Sequence, residues 1–143
     1  MKFLLIFLSI AAAATIFWFC KTTYQANALP SKQLRWGTGG GVTGAENMTI
    51  LLENGQLFSR QDVNTPLNEG NNTRANKAKK LFKLSEELGL MQLNFKYPGN
   101  TYKFIEINEA DKVHRISWGD GKTAVPAGVE DLFERLSGLV KKN

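Results

Sequence analysis

The sequence is poor in the residues that most often carry chemistry. It has one cysteine, Cys20, and one histidine, His114, among 143 residues. No disulfide can form within the chain, so apolar burial has to hold it together. With Cys20 in an apolar run and a single histidine, no structural zinc ligand set can be assembled. Nucleophilic catalysis fares no better, because Ser117 lies three residues from His114 on a strand-like stretch and the two point to opposite faces. Charge of one sign is also lacking. With Lys2 and Lys21 set aside, 16 basic residues stand against 13 acidic ones. A net charge of +3 gives no basis for nucleic-acid binding.

One long hydrophobic run is present. Phe3 to Cys20 carries no charge, and only Ser9 and Thr15 are polar. As a helix these eighteen residues would measure about 27 Å, close to the hydrocarbon thickness of a bilayer. Residues 1–21 therefore read as a signal peptide or a transmembrane anchor. Ala26-Asn27-Ala28 fits signal-peptidase cleavage before Leu29, whereas lysines at both ends of the run suit a helix that stays. Lipidation at Cys20 is a third route, but Phe19 stands where a lipobox has a small residue. Lys2 and Lys21 balance, which leaves the orientation of a retained helix open, and the expectation is that the rest of the chain is extracytoplasmic, in the cell envelope or secreted. Residues 22–32 read as a polar linker, and 33–143 as one globular domain with a modest core.

Gln33 to Trp36 reads as a short first strand and Met48 to Leu52 as a second. Asn54-Gly55, the preferred pair for a type I′ turn, sends the chain back through Gln56 to Ser59. Arg60 to Asn72 shows no period and reads as a mobile loop. A helix with an N-cap at Asn72 or Thr73 runs to Leu88, with Gly89 at C′ and a side rich in lysine. Tyr97-Pro98-Gly99-Asn100 forms a type II turn. Thr101 to Ile107 and Val113 to Trp118 form a second hairpin, and a final amphipathic helix after Pro126 carries Glu130 and Asp131 at its positive end. The expected fold class is α+β: an antiparallel sheet of about 4-5 strands with two helices on one face, in the order β-β-β-α-β-β-α.

Against this ordinary frame one stretch is unusual. Gly37-Thr38-Gly39-Gly40-Gly41-Val42-Thr43-Gly44 holds five glycines in eight residues. Ordering five glycines costs roughly 2.5 to 5 kcal/mol relative to alanine, so something requires them. Either positive φ is needed, or another backbone, a ligand or a partner approaches where a Cβ would collide. Gly39-x-Gly41-x-x-Gly44 spells a dinucleotide fingerprint, but a strand follows it where that motif needs a helix N-terminus. A P-loop is excluded because no Lys-Ser or Lys-Thr follows Gly44. Asp111, Asp120, Glu106 and Glu109 gather near the second hairpin in no known calcium-ligand order, and an acid/base hydrolase built on them is the weakest option. No catalytic residue, metal ligand or cofactor is expected.

The assembled pieces Gly39-Gly40-Gly41-Val42-Thr43-Gly44, Leu52-Glu53-Asn54-Gly55-Gln56-Leu57-Phe58, Tyr97-Pro98-Gly99-Asn100 with Tyr102-Lys103-Phe104-Ile105-Glu106, and Ile116-Ser117-Trp118-Gly119 resemble, in that order, small exported proteins and lipoproteins of Bacteroidetes type. More distantly, a strand, then Gly40-Gly41 with Gly44, then a strand is similar to emfourin-type inhibitors of thermolysin-like metalloproteases. Val42-Thr43 stands where that family has Phe-Ala. The resemblance implies a non-enzymatic binding domain, acting as a protease-inhibitor-like module through its glycine-rich loop. The expected partner-binding residues are Gly37, Gly39, Gly40, Gly41, Val42, Thr43, Gly44 and Trp118, and the expected partner is a protein, an extracytoplasmic protease. The alternative is a cell-envelope accessory protein whose Tyr97, Tyr102, Trp118 and helix lysines meet lipid or a larger assembly.

Overall fold

The computed structural model describes residues 22–140, and the signal or anchor reading of residues 1–21 lies outside them. No helix among the described residues is long and apolar enough to cross a membrane. Seven strands and two helices follow in the order β1 (Gln33–Gly40), β2 (Glu46–Leu51), β3 (Leu57–Arg60), β4 (Asn68–Glu69), α1 (Ala75–Glu87), β5 (Lys96–Tyr97), β6 (Thr101–Glu109), β7 (Lys112–Trp118) and α2 (Val129–Ser137). The fold is α+β, as expected. The sheet is larger than expected and mixed, with strand order β4-β3-β2-β1-β6-β7-β5 and a parallel β5–β7 pair at one edge. The two extra strands are only two residues long. One comes from the stretch expected to be a mobile loop, where Asn68 pairs with Ser59. The other forms because the Phe95 carbonyl accepts the Ser117 N–H at 3.0 Å, which lays Lys96–Tyr97 alongside β7.

Alternation along the strands sorts the core into two parts. Leu34, Trp36, Leu51, Leu57, Ile105, Ile107, Ile116 and Trp118 share one face with Ala78, Leu81 and Phe82 of α1 and Leu132, Phe133 and Leu136 of α2. The opposite face carries Met48, Ile50, Leu52, Phe58 and Phe104, against which Tyr24, Leu29, Leu67 and Tyr102 pack. Residues 22–32, read from composition as a linker, thus contribute to the second cluster. Tyr24 N–H donates to Gln56 Oε1 at 2.8 Å and Gln56 Nε2 donates back to the Tyr24 carbonyl at 3.1 Å, while Asn54 Nδ2 donates to the Thr22 carbonyl at 2.7 Å.

Local chemistry explains where the turns and helix ends depart from expectation. Only Gly55 of the Asn54-Gly55 pair has positive φ, 92°, and the Gly55 N–H bonds the Leu52 carbonyl at 2.9 Å. The loop is therefore a tight turn closed by a left-handed glycine rather than type I′. Gly99 is not in the left-handed region that a type II turn requires; a Cβ there would overlap the Gly119 carbonyl oxygen. Helix α1 starts at Ala75 because the two candidate caps are engaged with the sheet. Asn72 Oδ1 accepts the Leu57 N–H at 3.3 Å, and the Thr73 N–H bonds the Gly55 carbonyl at 2.8 Å. No side chain caps α1, and its first turn holds no acid. By contrast α2 has Glu130 and Asp131 in its first turn and Arg135 in its last, as the macrodipole favours.

The sheet has two distinct ends. At one, the chain enters beside the β2–β3 turn, and Lys32 reaches Glu53 and Glu86 at 3.2 Å and Glu109 at 3.8 Å. That single cation ties this turn, α1 and the β6–β7 turn together. At the other lies the β1–β2 connection, residues 41–45, with the start of β6 beside it.

Candidate interaction surface

The glycine-rich stretch is not one loop. Gly37, Gly39 and Gly40 belong to β1, the central strand, paired on one side with β2 and on the other with β6. Gly37 stands opposite Phe104 and Gly39 opposite Tyr102 on β6. A Cβ at Gly39 would lie 2.6 Å from the Tyr102 ring, and one at Gly37 would overlap the Asn47 carbonyl oxygen and come 3.0 Å from the Phe104 ring. The glycines thus leave room for two aromatic rings to lie across β1, the arrangement in which an aromatic covers a strand glycine. Gly37 and Gly39 are buried by these rings. The atoms pressing on their bare main chain belong to this fold.

The rings are held by charge. Tyr102 reaches across Gly39 to β2, where its hydroxyl donates to Glu46 Oε2 at 3.0 Å. The Arg115 guanidinium sits 4.0 Å from the Phe104 ring centroid. From there it donates to both oxygens of Glu46, at 2.8 and 3.1 Å, and through Nε to Glu106 at 2.8 Å. Arg35 supplies the other Glu106 oxygen at 2.8 Å. Glu106 is only 6% exposed, so two guanidiniums and a charge-assisted pair of hydrogen bonds meet its desolvation cost. Burial acts against the charge of Arg115, but the hydrogen bonds it donates to Glu46 and Glu106 outweigh it and raise its pKa. Burial also raises the Tyr102 pKa, followed by its hydrogen bond to Glu46 and the charge of that carboxylate. This layer spans β2, β1, β6 and β7 directly behind the β1–β2 tip.

The tip itself is Gly41-Val42-Thr43-Gly44. Gly40, Gly41 and Gly44 have φ of 94°, 77° and 62°, so left-handed backbone accounts for three of the five glycines. The Gly41 N–H donates to the Asn100 carbonyl at 2.7 Å, fastening the tip to the start of β6, and the Gly44 N–H closes on the Gly41 carbonyl at 3.2 Å. Val42 projects beyond this clasp with its whole side chain in solvent, 105% of the reference exposure. Thr43 and Gly44 are exposed beside it, while Gly40 and Gly41 are half-buried. Of the eight expected contact residues, the structure presents three at the tip.

Trp118 is elsewhere. It is 5% exposed, lies on the helix-covered face and meets Phe133 edge-on at 5.4 Å between ring centroids. It helps line a cleft of about 450 Å³ with Thr38, Thr101, Lys103, Asp120 and Thr123, and its Nε1–H has no acceptor among the described residues. Its role is core packing, because strand alternation turns it inward with Ile116. His114 shares that face, with Nε2 at 2.9 Å from the Leu93 carbonyl. Among the described residues no group of three or more histidine, cysteine, aspartate or glutamate side chains converges as a metal site. The Arg35–Glu106–Arg115–Glu46–Tyr102 layer was missed in the sequence, although Tyr102-x-Phe104 and Gly37-x-Gly39 share the spacing of one strand face. No family model matches the chain, and no curated protein matches it either.

Proposed function

We propose that this is a non-enzymatic binding domain that offers the Val42-Thr43 tip of its β1–β2 hairpin to a cleft on an extracytoplasmic protein. The observation carrying this reading is the pairing of a fully exposed valine with a strongly braced support. An isolated apolar side chain on a surface is ordinary. This one caps a hairpin whose main chain is fastened to Asn100 and whose strands are locked by the Tyr102–Glu46–Arg115 layer. Such a tip loses little entropy on docking, which is how preorganised loops gain affinity. The positive-φ glycines spend their own N–H groups on this clasp and thereby hold Val42-Thr43 outward, where an extended peptide cleft can receive it.

The spacing Gly40-Gly41-x-x-Gly44, similar to emfourin-type inhibitors, supports a metalloprotease of the thermolysin type as the partner. Titration of the full chain against thermolysin tests this. The wild type is expected to inhibit, and Val42→Asp to weaken inhibition by about tenfold or more, since burying an unpaired carboxylate costs more than 1.4 kcal/mol. The Tm of the variant should stay within a degree or two, because residue 42 touches nothing in the fold. Equal inhibition by both chains contradicts the tip as the contact. Absence of inhibition by the wild type contradicts the protease as partner.

A further inference from the structure

We infer that the domain docks on an anionic membrane surface through the lysine face of α1, with the Val42 tip turned away from the bilayer. The inference does not depend on what the tip binds. It starts from where the described chain ends. Thr22 is fixed by Asn54 at the entry end of the sheet, and it borders a recess shared with Tyr24, Ala75 and Lys79. Only Lys21 separates Thr22 from Cys20, the last residue of the eighteen-residue uncharged run. Two residues of chain reach at most about 7 Å, so a run seated in a bilayer would hold this end of the domain against the headgroups. The packed lead-in favours a retained segment: cleavage before Leu29 would strip Tyr24 from Gln56, which is 4% exposed and bonded to it in both directions.

The element lying across that end is α1. It begins beside the β2–β3 turn, where a Cβ on Gly55 would come 3.2 Å from the Ala75 nitrogen, and by Glu86 it has reached Lys32 at the foot of β1. Arg74, Lys77, Lys79, Lys80 and Lys83 are all exposed, and no acid lies between Arg74 and Lys83. Among the described residues Arg74, Lys77, Lys79 and Lys80 make no ion pair, while Lys83 meets Glu87 at 3.3 Å. Of the acidic groups at this end, Glu53, Glu86 and Glu109 converge on Lys32 and Glu69 accepts from Gln56, while Asp111 lies exposed in the β6–β7 turn, away from α1's own sequence. Cations clustered at the positive end of an uncapped helix oppose its dipole, so their charge is unrelieved within the fold. Anionic headgroups relieve it, at roughly fivefold in binding per lysine near the surface. β1 rises about 24 Å from this end to Gly40, which puts the tip on the far side.

The test uses the full chain in bilayers of phosphatidylcholine alone or phosphatidylcholine with phosphatidylglycerol, with lysine acetylation rates read by mass spectrometry. Lys77, Lys79 and Lys80 are expected to react several-fold more slowly on the anionic bilayer, with the difference fading at high salt, while Lys122 at the opposite end reacts equally on both. The variant Lys77→Gln/Lys80→Gln, which removes two charges at exposed positions, should remove the protection of Lys79. Equal rates for the three lysines on the two bilayers overturn the proposal, as does a mature N-terminus at Leu29.

Discussion

Gly39 and Gly37 are occupied from above by the rings of Tyr102 and Phe104, so even one added carbon has to displace an aromatic side chain or the β2 backbone. Gly39→Ala is expected to destabilise the domain by about 1–3 kcal/mol, the range for overpacking, measured by denaturant unfolding. Gly44→Ala meets no atom within 4 Å and carries only the penalty of left-handed backbone, about 1 kcal/mol. Ala110 gives the opposite sign. It has φ of 52° in the β6–β7 turn, the one described non-glycine residue with positive φ, and Ala110→Gly should raise stability by about 0.5–1 kcal/mol in the same assay. At this scale the sequence was legible in kind, since a cost of several ordered glycines did signal close approach. What approaches was not legible, because the rings sit more than sixty residues away and strand pairing is not written in local pattern.

The β1–β2 hairpin is supported by a charged layer, and that layer sets its pH response. The folded Tyr102 pKa is raised above the ordinary 10.0, by burial first and then by Glu46. Its stability contribution is therefore complete below pH 10.0 and is lost as pH rises through the folded value. Ultraviolet titration compared with Tyr102→Phe should show this phenol ionising later than free tyrosine, and an ordinary midpoint would argue against the Tyr102–Glu46 bond. Glu106→Ala leaves Arg35 and Arg115 facing one another without their shared carboxylate and is expected to cost about 3–5 kcal/mol. Element types followed well from the sequence where period was strong, as in α2 and the β6–β7 hairpin. The α1 start, by contrast, was decided by Asn72 and Thr73 bonding to the sheet, and β4 and β5 by pairings of two residues each, too short to leave a period.

Across the whole molecule the two ends of the sheet are unlike. The entry end is bound together by Lys32 and covered by the basic α1, whereas the far end carries an exposed valine on a fastened clasp. The α+β class and the helix-covered face were readable from amphipathic pattern. The second cluster, built partly from Tyr24 and Leu29, was not, since a segment rich in polar residues gives no periodic sign that two of its side chains pack. The central claim is that contact with a protein partner is made at Val42. A photo-crosslinking residue placed at position 42 of the full chain in its native envelope tests it most directly, with position 113, another exposed valine site at the other end, as the comparison. The account predicts one discrete crosslinked protein from position 42 and none from position 113. No crosslink at 42, or the same products from both positions, would contradict it.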